Sequence, residues 1–270
     1  MWALYQNTIE WKNVTPSSRR IYLQGADYIE EFMDKDADKI TRPMVLDFRD
    51  RYYDKKAKCR IGLQVLGMVL RFGYDRGYCS GDPTRGIRNL PPKVGWERWT
   101  QDEIDAVMEA SDQCIRDAIT LAIYTGQRRS DLVRMTWENY DGDYIHIVQL
   151  KTKKPLSIPV HPVLKKELER MKGNGEYILV SKTGGKWSPD YLTDSVTMVA
   201  RSVGVNKVFH GLRKTTASVL AEHGCTPHEI AAITGQSLYE VIKYTRGVEQ
   251  KELAKRAVER WKSQPPTHHT

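Results

Sequence analysis

Tyr244, His210 and two arginines, Arg128 and Arg213, are the side chains of this sequence whose types and order suit chemistry on a phosphodiester. His210-Gly211-Leu212-Arg213 opens the stretch, Thr234-Gly235-Gln236 follows, and Glu240-Val241-Ile242-Lys243-Tyr244-Thr245-Arg246 closes it. Arg128 lies upstream, within Thr125-Gly126-Gln127-Arg128-Arg129-Ser130-Asp131-Leu132. Breaking such a diester without a metal requires a nucleophile for phosphorus, donors for the negative charge and an acid for the departing oxygen. Tyr244 offers the nucleophile. A free phenol has a pKa near 10, so only roughly one molecule in a thousand is ionised at neutral pH, and neighbouring cations or a base must help. Arginine suits the phosphate because its planar fork bonds two oxygens at once and keeps its charge. Two forks, Arg128 and Arg213, offset the repulsion between an anionic nucleophile and an anionic diester. Taken singly, each part has an ordinary explanation: a packing Tyr, a capping Arg, a chance His-x-x-Arg. The weight lies in the ordered set, with no metal or nucleotide motif beside it.

Those residues need elements to hold them. Thr100 with Glu103 forms a capping-box pattern that opens a helix through Ile104, Val107 and Met108. An apolar helix from Ile115 to Tyr124 ends at Thr125-Gly126, and a short turn delivers Arg128 to a helix expected over Ser130–Trp137. Tyr144–Val148 and Leu156–Val160 read as the strands of an antiparallel hairpin with Lys151, Lys153 and Lys154 at its tip. Pro159 places the second strand at an edge or near its end. His161-Pro162 leads into a helix over 163–171, Tyr177–Val180 reads as a brief strand, and Ser188-Pro189 starts another helix. From His210 to Trp261 the pattern is helical, and 263–270 is expected to be a disordered tail.

Ahead of these lies an all-helical unit over residues 1–88. Thr15-Pro16 and Thr41-Arg42-Pro43 read as helix starts, and Ile61–Tyr74 carries an amphipathic apolar face. Trp2, Leu4, Tyr5, Ile9 and Trp11 either dock on that core or form a frayed leader. The proline-rich stretch 89–97 is the expected joint to a second domain over 98–262. The fold class is thus mainly α with a small antiparallel β-sheet.

The 270 residues suffice for two domains with separate cores. A net charge of +8 and a pI of about 9.2 favour a polyanionic partner, nucleic acid first, over a merely solubilising surface. Arg49, Arg51, Lys55, Lys56, Lys58 and Arg60 form either a phosphate-contacting ridge or a solvated loop and helix start. Cys59, Cys79, Cys114 and Cys225 stand apart with no C-x-x-C pair, which argues against zinc or a disulfide framework. No apolar run approaches the roughly 18 residues of a membrane span. The expected setting is the cytoplasm.

With both motif segments considered together, the chain resembles the tyrosine recombinase, or phage integrase, family over both domains. The resemblance implies a helical core-binding domain and an α+β catalytic domain that clamp opposite faces of double-stranded DNA. It makes Arg128 the first catalytic arginine, with Asp131 orienting it, and Lys151 the general acid toward the leaving 5′ oxygen. His210 and Arg213 match the second catalytic pair, and Tyr244 the nucleophile. Arg129 sits one step late, as a DNA-backbone or structural residue; Lys153, Lys154, Lys214 and Arg246 are further DNA contacts. Gln236 stands where the family carries His or Trp, eight residues before Tyr244 rather than nine. Its amide can hydrogen-bond a phosphate oxygen but cannot shuttle a proton; should residue 236 lie outside the site, the sixth catalytic group is either lacking or drawn from His223 or His228.

The implied reaction is a site-specific strand exchange through a 3′-phosphotyrosyl intermediate. It calls for no cofactor and no metal, and proceeds in a homotetramer on synapsed DNA, with a monomer allowed without DNA. The apolar face Leu253, Ala254, Ala257, Val258 and Trp261 either docks on a neighbouring subunit or packs on its own domain. A nicking-closing enzyme of the type IB topoisomerase kind and a catalytically weak DNA-binding relative are the other readings. The absence of an arm-binding domain before residue 1 fits either a two-domain enzyme or a piece of a longer integrase.

Overall fold

A computed structural model describes residues 1–88, 97–173, 175–245 and 250–262, with residues 244, 245, 250–253, 256 and 260 described by backbone alone. The chain divides into two compact units, Met1–Gly95 and Trp96–Thr270. Residues 89–96 of the expected joint and the expected tail 263–270 lie outside the described residues.

The first unit is built on α1 (Trp2–Gln6), α2 (Ile9–Lys12), α3 (Pro16–Tyr28), α4 (Glu30–Met33), α5 (Arg42–Arg51) and α6 (Lys56–Asp75). Of the apolar N-terminal residues, Tyr5 and Trp11 dock, buried against Phe72 of α6 with Trp2 packed beside them, while Leu4 and Ile9 are exposed. Thr15 caps α3 by accepting from the Ser18 N–H, with Pro16 in the first turn, where its missing donor is no loss. Thr41 occupies the cap position of α5, but its side chain makes no cap bond. Helix α6 begins five residues before the Ile61 expected from periodicity, so Lys56, Lys58 and Arg60 belong to its first turns. It crosses α3 at Gly25, where a Cβ would stand 2.5 Å from Val65 Cγ2, so only glycine permits that approach.

The second unit opens with α7 (Gln101–Ala110), whose Thr100–Glu103 capping box is complete. Helix α8 (Gln113–Thr125) runs through the core and stops at Gly126 with φ 62°. Around it pack Leu132, Ile145, Ile158, Leu164, Leu168, Val196 and Leu212, all fully or nearly fully buried. The helix expected over Ser130–Trp137 is a single turn, α9 (Arg129–Leu132). Beyond it the backbone turns to the segment 176–178: Ile178 N–H donates to Met135 O and Trp137 N–H to Glu176 O, which removes those groups from a helical ladder. The same exchange leaves Tyr177–Val180 without a strand partner. It holds the isolated bridges Thr136–Tyr177 and Val180–Lys186 instead of a ladder.

Strands β1 (Tyr144–Val148) and β2 (Pro155–Pro159) pair antiparallel, with Ile145, Ile147, Leu156 and Ile158 facing inward. The second strand lies one residue earlier than Leu156–Val160. Then follow α10 (Pro162–Met171), α11 (Pro189–Ser202), α12 (His210–Glu222), α13 (Pro227–Thr234), α14 (Leu238–Thr245) and α15 (Gln250–Lys262). Ala217, Ala221, Ile230, Ala231 and Val241 form a small separate core that ties α12, α13 and α14 together. On α15, Ala254, Ala257, Val258 and Trp261 are exposed; the Leu253 side chain lies outside the described residues.

Among the described residues no helix is long and apolar enough to cross a membrane.

Candidate active site

Two tripeptides of identical sequence, Thr125-Gly126-Gln127 and Thr234-Gly235-Gln236, end α8 and α13 in the same way. Each threonine hydroxyl donates back to the carbonyl four residues earlier, Leu121 O at 2.6 Å and Ile230 O at 2.8 Å. Each glycine is left-handed, with φ 62° and 68°, and each glutamine N–H returns to the threonine hydroxyl. A left-handed residue after the last turn satisfies orphan carbonyls and sends the chain off at a sharp angle. Here it sends Arg128 out of one helix end and Gln236 out of the other. The two turns touch, since a Cβ on Gly126 would lie 2.9 Å from Thr234 Cγ2.

Arg213 closes the joint. It is 4% exposed, and its Nη1 donates to Gly126 O at 2.6 Å and Thr234 O at 2.8 Å, one carbonyl from each turn. Such charge-assisted bonds are the strong kind. Gln127 adds a second tie through Nε2, which donates to Thr125 O at 2.8 Å and Ile233 O at 3.0 Å. Its Oε1 accepts from Gln149 Nε2, whose Oε1 in turn accepts from Arg128 Nη1 at 3.0 Å. Arg128 and Arg213 therefore hang on one buried hydrogen-bonded frame.

His210, the first residue of α12, shares a face with Arg213 at i, i+3. The close approach of residues 97–99 to the start of this helix requires Gly211, where a Cβ would lie 2.6 Å from Glu97 O and 2.8 Å from Trp99 Cδ1. Trp99 pins the same corner: its indole N–H donates to Val208 O and its backbone N–H to Thr215 Oγ1. The His210 ring keeps contact with solvent but is crowded by protein. Desolvation, followed by the charges of Arg213, Arg128 and Arg129, lowers its pKa below the ordinary value, against an opposing pull from Glu240. Three guanidiniums on α9 and α12 and a carboxylate on α14 thus act on one imidazole.

Asp131 departs from expectation. It makes no ion pair with Arg128; its Oδ1 accepts the Leu150 N–H at 2.7 Å, and its Oδ2 is buried without a partner among the described residues. A carboxylate on the first turn of α9 thereby holds the hairpin loop at the residue before Lys151, and Gln149 rather than Asp131 orients Arg128. Lys151 and Lys154 project from that loop, exposed, and Lys153 adopts φ 57° to turn the chain back.

Gln236 is 4% exposed, and among the described residues its buried Oε1 has no partner and its side chain holds no hydrogen bond. The exposed His223 donates from Nδ1 to Val219 O at 2.8 Å, one turn back in the chain. The side chain of Tyr244 and all of Arg246 lie outside the described residues.

Arg129 is occupied internally: it pairs with Asp190 at 2.8 Å and donates to Thr193 Oγ1, binding α9 to the start of α11. That is the structural half of its expected role. Lys214, next to Arg213, is half-buried and acts electrostatically on Glu97. In the first unit, Arg49 pairs with Asp50 and Arg51 with Glu31, while Lys58 lies over the rings of Tyr28 and Tyr52 and Lys56 over Tyr53. Lys55 and Arg60 are exposed. Sequence reasoning missed Gln127 and Gln149; the signal for the former was the repeated Thr-Gly-Gln tripeptide, whereas nothing local marks Gln149.

The model of the phage integrase family matches residues 97–251. The chain belongs to the phage integrase family. Phage integrases that it resembles include that of Escherichia phage HK022, 28% identical over 180 residues, which are 60% of this chain and 50% of that one. The integrase of Escherichia phage lambda is 27% identical over 131 residues, 47% of this chain and 37% of that one. The chain thus spans about half or less of the length of the curated relatives it matches. Among solved structures, a lambda integrase dimer bound to a COC′ core site has a TM-score of 0.83 at 22% identity, covering 92% of this chain and 96% of that one. A lambda integrase tetramer bound to a Holliday junction has a TM-score of 0.82 at 22% identity, covering 92% and 78%. These likenesses establish a helical N-terminal unit and an α+β catalytic-type unit as the shared integrase fold.

Proposed function

We propose that this phage-integrase chain is a site-specific recombinase that cleaves and rejoins double-stranded DNA through Tyr244. The observation that carries the reading is the joint frame of Arg128 and Arg213, with His210 within electrostatic reach of both. A scissile phosphate seated on the two forks has its negative charge matched before reaction, as electrostatic preorganisation requires. The Tyr244 phenolic oxygen attacks phosphorus and loses its proton, which His210, kept neutral by its surroundings, takes up in this reading. The bond to the 5′ oxygen breaks, and Lys151 supplies the proton that oxygen needs. The products are a 3′-phosphotyrosyl bond and a free 5′ hydroxyl. Attack by a 5′ hydroxyl from a partner strand reverses the step, and because the phosphotyrosyl bond keeps the energy of the diester, no cofactor is called for.

Gln236 enters as an amide donor to a nonbridging oxygen; among the described residues its side chain holds no other hydrogen bond. Strand exchange needs protomers on two duplexes, and a tetramer is the assembly that the lambda integrase fold forms on a Holliday junction. The exposed apolar face of α15 suits a contact between such protomers. The work is done on DNA of the host cytoplasm.

The test uses a nicked duplex selected from a randomised pool by its binding to the parent protein. Parent protein should form a covalent adduct, whereas Tyr244→Phe should bind equally and form none, because only the phenolic oxygen is removed. Arg128→Lys should also fail, since an ammonium does not reproduce the fork. Adduct in Tyr244→Phe would assign the nucleophile elsewhere.

A further inference from the structure

We propose that Gln149 is a positioning residue whose amide locks the Arg128 fork and the Lys151 loop to the Thr234-Gly235 turn. The proposal rests on the phosphotyrosyl reaction proposed above. A glutamine amide offers two donor hydrogens and two acceptor lone pairs, and at Gln149, fully buried, all four are used. Its Nε2 donates to Gln127 Oε1 at 2.6 Å and Thr234 O at 2.9 Å. Its Oε1 accepts from Arg128 Nη1 at 3.0 Å and Thr152 Oγ1 at 2.7 Å.

The direction of each bond follows from its neighbours. Gln127 faces two backbone carbonyls, Thr125 O and Ile233 O, so its NH2 must point to them and its oxygen to Gln149. Gln149 must then present NH2 to Gln127 and to Thr234 O, which leaves only its oxygen for the arginine and the hydroxyl. The nearest alternatives fail here: Glu lacks the donors, Asn is one methylene short, and an apolar residue leaves buried partners unpaired. Gly235 completes the seat, because a Cβ there would stand 2.5 Å from Gln149 Nε2.

The place of Gln149 in the hairpin makes the lock consequential. It follows the last paired residue of β1, and its backbone N–H and carbonyl bond Lys154 and Lys153, closing a loop over Leu150–Lys153. Thr152 ties that loop to the Gln149 amide on one side, and Leu150 N–H ties it to Asp131 on the other. Lys151 stands between the two ties. One amide therefore registers the proposed acid and the first arginine against the turn that precedes the Tyr244 helix.

The experiment compares Gln149→Leu, which removes all four bonds, with Thr152→Val, which removes only the tie to the loop from an exposed position where folding is at little risk. Both are assayed on the selected nicked duplex and on the same duplex with sulfur at the bridging 5′ position, a leaving group that needs no proton. Misplaced supporting groups typically cost on the order of 10- to 100-fold. Thr152→Val should cleave the oxygen substrate on the order of tenfold more slowly and the sulfur substrate at the parental rate. Gln149→Leu should slow further, and sulfur should recover only part, because Arg128 remains loosened. Equal slowing on both substrates in Thr152→Val, or parental cleavage by both variants, would overturn the positioning role while leaving the reaction intact. Absence of adduct from the parent protein would instead overturn the reaction, and the positioning role with it.

Discussion

At His210 desolvation and three arginine charges act in the same direction, and the result is an imidazole held neutral more firmly than a free one. A neutral ring can accept a proton at one nitrogen while donating from the other, which a ring already charged by its surroundings cannot do. The same shift fixes a sign for stability. The unfolded chain takes up the proton near pH 6.5, whereas the folded protein binds it only at lower pH. The contribution of His210 is therefore fully present above the unfolded value and lost as pH falls through that value toward the folded one. Unfolding in denaturant measured between about pH 7.5 and 5 should show this loss in the parent and a flatter profile in His210→Gln. An unchanged profile would assign the titration to another group. Asp141 titrates in a separate window: its bond with His146, then the backbone N–H groups of Tyr144 and Asp143, hold its pKa at about 2, so its contribution is lost only in strong acid.

At the scale of elements, the site depends on two helix ends more than on any helix. The left-handed glycines 126 and 235 let α8 and α13 stop in contact, and Arg213 and the two glutamines then span the junction. Gly204 offers a contrast in the same unit, being left-handed at φ 78° with open space around its Cβ position. Gly204→Ala should lose about 1–2 kcal/mol from backbone strain. Gly235→Ala should lose about 1–3 kcal/mol more, since the added carbon meets the saturated Gln149 amide. Equilibrium unfolding of the two variants checks the difference, and equal losses would mean that the amide yields freely. Elements with local punctuation were legible: the Thr100–Glu103 box, the Pro16 and Pro189 starts and the stop at Gly126 fall where the sequence puts them, whereas the helical pattern from His210 to Trp261 is divided among α12, α13, α14 and α15. The helix after Arg129 and the strand at Tyr177 were misread because those two segments satisfy each other's backbone groups, a pairing between distant residues that no local pattern carries.

For the whole molecule, charge is the property with reach. The net +8 is not spread evenly over free cations. Arg49 and Arg51 are each paired with a carboxylate, while Lys55 is exposed and Lys56 and Lys58 rest on tyrosine rings, with no carboxylate partner among the described residues. Phosphate binding by the first unit should therefore come from the lysines first. Replacing Lys55, Lys56 and Lys58 by Ala should lower the slope of log affinity against log salt by about 0.9 for each phosphate no longer neutralised. A binding titration on duplex DNA across salt concentrations measures it, and an unchanged slope would return the run to a solvated face.

The sequence by itself determined the kinds of chemistry available, because the pKa of a phenol and the fork of an arginine are properties of the residue. It also determined most helices, whose caps, prolines and apolar spacing act within a few residues of one another. Tertiary structure alone decided what touches what. Asp131 bonds the hairpin backbone rather than Arg128, Arg129 pairs with Asp190 at the start of α11, and Gln149, inconspicuous in its own stretch, fills four bonds to segments up to 85 residues away. The physical reason is that a buried polar group must find partners wherever the fold brings them, and side chains far apart in the chain become neighbours only after the apolar core around α8 has closed.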